Sequence, residues 1–131
     1  MSRSPTILLV EDNLSLRRLL VEALRRQGHP ILESDDCPHC LELMKEAKAD
    51  LAIIDSGLPS GNGQDLADTL LADHEDLRTL IISGYPQDFL VAEGVLREST
   101  PFLQKPFRAS RLREEIRQLM SPESDFVAVA S

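Results

Sequence analysis

The sequence predicts an α/β protein, a three-layer α/β/α sandwich around a five-stranded parallel sheet. Two observations carry this. The runs TILLV at residues 6–10, apolar from Ile7 onward, and LAII at 51–54 are short and uninterrupted by charge, and each ends at an acidic residue. Such runs mark strands buried on both faces, as parallel strands are. Strand-like and helix-period segments then alternate five times along 131 residues. Short links make these parallel crossovers, and each crossover helix must cover one face of the sheet.

The elements follow in order. The first strand, 6–10, runs into Glu11, Asp12 and Asn13. Asn13 is a good helix N-cap, and Leu16, Leu19, Leu20 and Ala23 follow at helical spacing until Gly28 stops the pattern. Residues 30–34 form a weaker strand, suited to a position nearer an edge. Residues 36–47 read as a helix with Cys40, Leu43, Met44 and Ala47 on its apolar stripe. The strand 51–54 ends at Asp55, and 57–63, with glycines, a proline and an asparagine, is a loop. A helix over 64–73 turns Leu66, Ala67, Leu70 and Leu71 to one side. The strand 77–82 ends at Ser83-Gly84-Tyr85-Pro86. A helix over 87–97 is weakened by Gly94, which costs about 1 kcal/mol relative to alanine. A very short strand, 101–103, leads to Gln104-Lys105-Pro106-Phe107, and 109–120 is a helix with Leu112, Ile116 and Leu119 inward. Residues 121–131 lack periodicity and are expected to be a disordered tail, leaving one domain over 1–120. A frayed end is also the simplest reading of Phe126-Val127-Ala128-Val129.

Composition narrows the function. With 42% hydrophobic and 27% charged residues the chain resembles an ordinary globular protein. A net charge of −8 argues against a nucleic-acid surface, because phosphate-backbone affinity comes from clustered Lys and Arg. No apolar run approaches the roughly 20 residues that span a bilayer, and the first residues do not form a signal peptide, so a cytoplasmic protein without membrane contact is expected. There is no internal repeat, low-complexity tract or linker to a second domain.

In a parallel sheet all strands end on one side, so residues just past them are neighbours in space. Here these are Glu11, Asp12, Asp55, Ser83, Gly84 and Lys105. Taken singly, an acidic pair after a strand is usually a solvated turn or a helix cap, a Ser-Gly is usually a turn, and a Lys-Pro pair usually means nothing. The combination is the signal. Three crowded carboxylates need a cation, and hard oxygen ligands suit Mg²⁺, which favours one or two carboxylates plus phosphate oxygens. A lysine and a hydroxyl supply the positive charge and the hydrogen-bond donor that a phosphoryl group requires. The constellation points to phosphoryl chemistry at Asp55.

The segments ILLVEDN, LAIIDSGLPSGNG, LIISGYP and FLQKPF resemble those of the receiver domain of two-component response regulators, over about residues 5–120. The resemblance implies a flavodoxin-like receiver fold with strand order 2-1-3-4-5. It implies that Asp55 accepts a phosphoryl group from a phosphohistidine, with Ser83 and Lys105 contacting that group. Asp12 and Asp55 would bind Mg²⁺ through side chains, Glu11 through water, and Gly57 through its carbonyl. Phe102 and Ser83 would form the switch, remodelling a protein-binding surface from Gln87 to Met120. The implied partners are a sensor histidine kinase or histidine phosphotransfer protein and a downstream protein, with homodimerisation open. Phosphotransfer and autodephosphorylation would be self-catalysed, without enzymatic turnover. Both a stand-alone regulator and the receiver of a hybrid histidine kinase fit; the initial Met1 favours the first, and nothing after Met120 could form a helix-turn-helix. Ser56 and Gly57 are smaller than the commoner residues beside the acceptor, which would open the site to water, while Tyr85 could shield it. Phe102 lacks the hydroxyl of the frequent tyrosine and would report by burial alone.

The rival signal is Cys37-Pro38-His39-Cys40, a C-x-x-C at a helix start where the helix dipole could lower a thiol pKa and support thiol-disulfide oxidoreductase chemistry. Against it, Cys40 falls on the apolar stripe, where cysteine acts as a small hydrophobe, and Pro38 suits a first helical turn. A zinc site with His29 or His39 lacks a second cysteine pair.

Overall fold

A computed structural model describes residues 4–121. Five strands form one sheet: β1 (Ile7–Val10), β2 (Ile31–Ser34), β3 (Leu51–Asp55), β6 (Arg78–Ser83) and β7 (Phe102–Gln104). A small antiparallel pair, β4 (Gly57–Leu58) and β5 (Gly61–Asn62), lies apart from it within the predicted loop 57–63. The order in the main sheet is β2-β1-β3-β6-β7 and every neighbouring pair is parallel. Counting only these five strands, the order is the 2-1-3-4-5 that the family resemblance implied. The helices are α1 (Leu14–Arg26), α2 (Cys37–Leu43), α3 (Gly63–Asp73), α4 (Gln87–Ala92) and α5 (Ala109–Met120).

The period-two alternation of the strands sorts the core into two layers. Leu8, Val10, Ala52, Ile54 and Ile81 face one side and pack with Cys40, Met44, Leu66, Ala67, Leu70 and Leu90 from α2, α3, α4 and their ends. Ile7, Leu9, Leu51, Ile53, Leu80 and Ile82 face the other and meet Leu20, Val21 and Leu24 of α1 and Leu112 and Ile116 of α5. Each fully buried branched side chain of this kind contributes about 1.5–3 kcal/mol. All residues of β1 and β3 are buried, as their unbroken apolar runs predict. The weaker β2 is indeed an edge strand.

Two helices stop earlier than their apolar patterns predict. The segment after α4 turns at Gly94, whose φ of 76° is left-handed. The Gly94 N–H bonds the Val91 carbonyl and the Val95 N–H bonds the Leu90 carbonyl, at 3.0 and 3.1 Å. This closure satisfies carbonyls at the helix end and sends Leu96 back to the core, where it continues the apolar spacing outside the helix. Helix α2 ends at Leu43 because Lys45 and Glu46 bond carbonyls three residues back, tightening the last turn so that Met44 is buried beyond the helix. After the β4–β5 pair, Asn62 caps α3, its side chain accepting from the Asp65 N–H at 2.8 Å. The expected tail beyond Ser121, with Phe126 to Val129, lies outside the described residues.

The C-x-x-C segment starts α2 with Pro38 in its first turn. Cys40 is fully buried, and burial pushes its thiol up to about 12. Cys37 is also raised, by burial and by the nearby Asp36 charge. Both shifts run opposite to the lowered pKa that redox chemistry requires, so oxidoreductase chemistry has no structural support.

Candidate functional site

The strand ends bring the predicted residues together. Glu11 follows β1 directly, its N–H donating to the Ser34 carbonyl at 3.0 Å, so the ladder carries it into the interior and leaves it 1% exposed. Its Oε2 accepts the Asn13 N–H at 3.1 Å, and Arg17 Nη1 reaches the Glu11 carbonyl at 2.7 Å. Asp12 is exposed at the rim. Asp55 closes β3 and is 8% exposed. Its Oδ1 accepts the Gly57 N–H at 2.9 Å, which places Gly57 at the mouth of the site. Lys105, one residue past β7, puts its Nζ 2.5 Å from Asp55 Oδ2 and 3.0 Å from Glu11 Oε1. The Lys105 N–H donates to the Ser83 carbonyl at 2.7 Å, and a cis peptide bond to Pro106 follows.

Glu11, Asp12 and Asp55 each offer an oxygen within 4.8 Å of the others. Three carboxylates thus share the single ammonium of Lys105 in a partly buried pocket. Burial pushes the Glu11 carboxyl up to about 7, and the Asp55 side chain adds to the shift, against the opposing Asn13 N–H and Lys105. Burial by itself would lower the Lys105 ammonium; its hydrogen bonds to Asp55 and Glu11 outweigh this and raise it. The site sets three carboxylates beside one ammonium and offers all-oxygen donors. That donor set fits a hard divalent cation such as Mg²⁺ better than a soft one.

The Glu11 shift sets a pH dependence. Its folded-state value lies above its ordinary 4.5, so the folded chain holds this proton more tightly than the unfolded chain. The resulting stability is fully present below about pH 4.5 and is lost as pH rises through about 7. Without divalent cation, the unfolding midpoint of the wild type should fall across this window by an increment that Glu11→Gln lacks. Matching pH profiles for the two proteins would show that Glu11 titrates normally.

Ser83 ends β6 and is 2% exposed. Its Oγ accepts the Tyr85 N–H at 3.1 Å and the Ser56 hydroxyl at 2.7 Å. Phe102, at the start of β7, is half-buried and packs against the core layer of α2, α3 and α4. Tyr85 is exposed and stacks on Phe89 with ring centroids 5.3 Å apart.

Several supporting residues escape a reading of the sequence. Gly63 begins α3 so close to β3 that a Cβ there would collide with the Asp55 carbonyl oxygen. Gln64 is buried, and its Oε1 accepts from the Arg97 N–H at 3.0 Å and the Thr100 hydroxyl at 2.8 Å, joining α3 to the segment after α4. Asp36 Oδ1 accepts both the Ser60 hydroxyl and the Ser60 N–H, pinning the loop beyond Asp55 to the end of β2. The signal for Ser56 was available once strand order is known, since Asp55 pairs with Ile82 and so sets Ser56 beside Ser83.

Comparison with known proteins gives the same outline. A family model described as the response regulator receiver domain matches residues 7–117. The sensor kinase CckA of Brucella abortus is 29% identical over 94% of this chain, which spans 13% of that protein. The two-component response regulator PhoP of Pseudomonas aeruginosa is 33% identical over 92% of this chain, which spans 54% of its length. The chain therefore covers about half or less of these two relatives. The crystal structure of a signal receiver domain of an HD domain-containing protein from Pseudomonas fluorescens superposes with a TM-score of 0.80 at 24% identity, covering 90% of this chain and 95% of that one. No helix among the described residues is long and apolar enough to cross a membrane.

Proposed function

The chain belongs to the response regulator receiver domain family of two-component systems, and from that premise we propose that Asp55 is its phosphoacceptor. The observation that carries this reading is the position of Asp55. It meets the Lys105 ammonium at 2.5 Å, and it lies within 4.8 Å of the oxygens of both other acids. A carboxylate so placed can be a nucleophile whose surroundings already hold the charges that a phosphoryl group demands.

An Asp55 oxygen attacks the phosphorus of a phosphohistidine on a sensor kinase or histidine phosphotransfer protein. The new O–P bond forms as the P–N bond breaks, and the departing imidazole takes up a proton. Lys105 exchanges its contact with Asp55 Oδ2 for a phosphoryl oxygen, and Ser83 donates its hydroxyl proton to another. Asp12 and Asp55 would hold Mg²⁺ directly, Glu11 through water and Gly57 by its carbonyl. When bound, the ion neutralises charge on the transferring phosphoryl oxygens. Glu11 gives up its proton to serve this role, with Asn13 and Lys105 keeping it oriented.

The inward draw on Ser83 would be reported through Phe102, which has no hydroxyl and so acts by burial, and would alter the surface between Gln87 and Met120 that a downstream protein reads. The domain spans residues 1–120 in this reading, and it serves either as a stand-alone regulator or as the receiver of a longer kinase. Exposure to acetyl phosphate with Mg²⁺ should give a hydroxylamine-labile acyl phosphate, and a chelator should abolish it. A label that survives hydroxylamine, or forms equally with chelator, would overturn the assignment.

A further inference from the structure

We infer that Ser56 is a positioning residue for phosphoryl transfer, acting through Ser83 by fixing the direction of its hydroxyl proton. The inference rests on the reading of Asp55 as phosphoacceptor and extends it to a residue that touches no phosphoryl group itself.

Ser83 Oγ is nearly fully buried, and two donors meet it: the Ser56 hydroxyl at 2.7 Å and the Tyr85 N–H at 3.1 Å. A serine oxygen has one proton and two acceptor lone pairs. With both lone pairs occupied, the proton is left with the one remaining tetrahedral direction and an obligatory role as donor. A phosphoryl oxygen can only accept, so it takes that proton without competing for either bond. An O–H group that accepts two hydrogen bonds is also polarised and becomes a stronger donor.

Ser56 is suited to hold this orientation because its own backbone is fixed on both sides. Its N–H donates to the Ile82 carbonyl and its carbonyl accepts the Gly63 N–H, both at 2.9 Å. Ser83 is tied in turn through its carbonyl to the Lys105 N–H. The two hydroxyls therefore sit on adjacent, hydrogen-bonded backbone segments, and neither depends on a mobile side chain to find the other. Without Ser56, the buried Ser83 oxygen keeps one acceptor site open and its proton can turn away from the phosphoryl group.

The test compares wild type, Ser56→Thr and Ser56→Val, which differ in hydroxyl against methyl at similar size. The measurement is phosphorylation by acetyl phosphate at saturating Mg²⁺. Loss of a partner one step from the reacting group is expected to slow the maximal rate about tenfold in Ser56→Val. Ser56→Thr should stay near wild type, and the half-saturating donor concentration and Mg²⁺ affinity should be unchanged in both. In a Ser83→Ala background the Ser56→Val effect should vanish, because the residue acts through Ser83. An undiminished effect in that background, or equal rates for the Thr and Val variants, overturns the inference while leaving Asp55 as the acceptor. If wild type takes no label, the phosphoacceptor reading fails and this inference falls with it.

Discussion

Asp55→Asn is expected to take up no phosphoryl label, a loss of at least about a hundredfold that brings incorporation to background. The substitution keeps the size of the side chain and leaves an oxygen able to accept the Gly57 N–H, so the turn after β3 is retained. What it removes is the anionic nucleophile. It also takes one of two carboxylate partners from Lys105, whose ammonium keeps Glu11 at 3.0 Å, so the lysine is not left buried without a counter-charge. Folding should therefore survive, and the thermal midpoint should stay within a few degrees of wild type. The check is intact-protein mass after exposure to acetyl phosphate with Mg²⁺. Label retained in a folded Asp55→Asn would move the acceptor to another residue.

Gly63→Ala is expected to give the largest loss of stability, about 3 kcal/mol or more, seen as a lower urea midpoint. A Cβ at this position would collide with the Asp55 carbonyl oxygen and lie 3.0 Å from its carbon and 3.1 Å from Ile54 Cγ2. Two of these three atoms are backbone in a central strand, held by ladders on both sides. They cannot retreat as the tip of a flexible side chain can, so α3 must lift from the sheet or β3 must bend. The gain in helix propensity from Gly to Ala, about 1 kcal/mol, is too small to offset this. Gly57→Ala is the matched control. A methyl group there would meet nothing within 4 Å, so its urea midpoint should barely change. Equal midpoints for the two variants would show that the contact at Gly63 relaxes without cost.

Most of the fold was legible because parallel strands announce themselves. ILLV and LAII had to be apolar throughout, since helices cover both faces of the sheet. The acidic pair, Asp55, Ser83 and Lys105 were legible for a related reason: each ends or follows a strand, and parallel strands all end on one side. Helix ends were less legible. Val95 and Leu96 continue the apolar spacing of α4, and only the left-handed turn at Gly94 shows that they reach the core from a loop. The roles of Ser56, Gly63 and Gln64 were hidden because they depend on partners 27 to 36 residues away or on a backbone contact. No local pattern encodes a pair of that kind until the strand order is fixed.

The Gln64 side chain has a mechanical consequence for α4. Its carbonyl oxygen grips the Arg97 N–H and the Thr100 hydroxyl just beyond that helix, and Gln64 itself is seated next to Gly63 against the end of β3. The fastening therefore works as a tether on the chain beyond Gly94: pulling that segment away from α3 breaks two hydrogen bonds to one buried acceptor. The opposite end of α4, at Pro86 and Gln87, lies outside its reach.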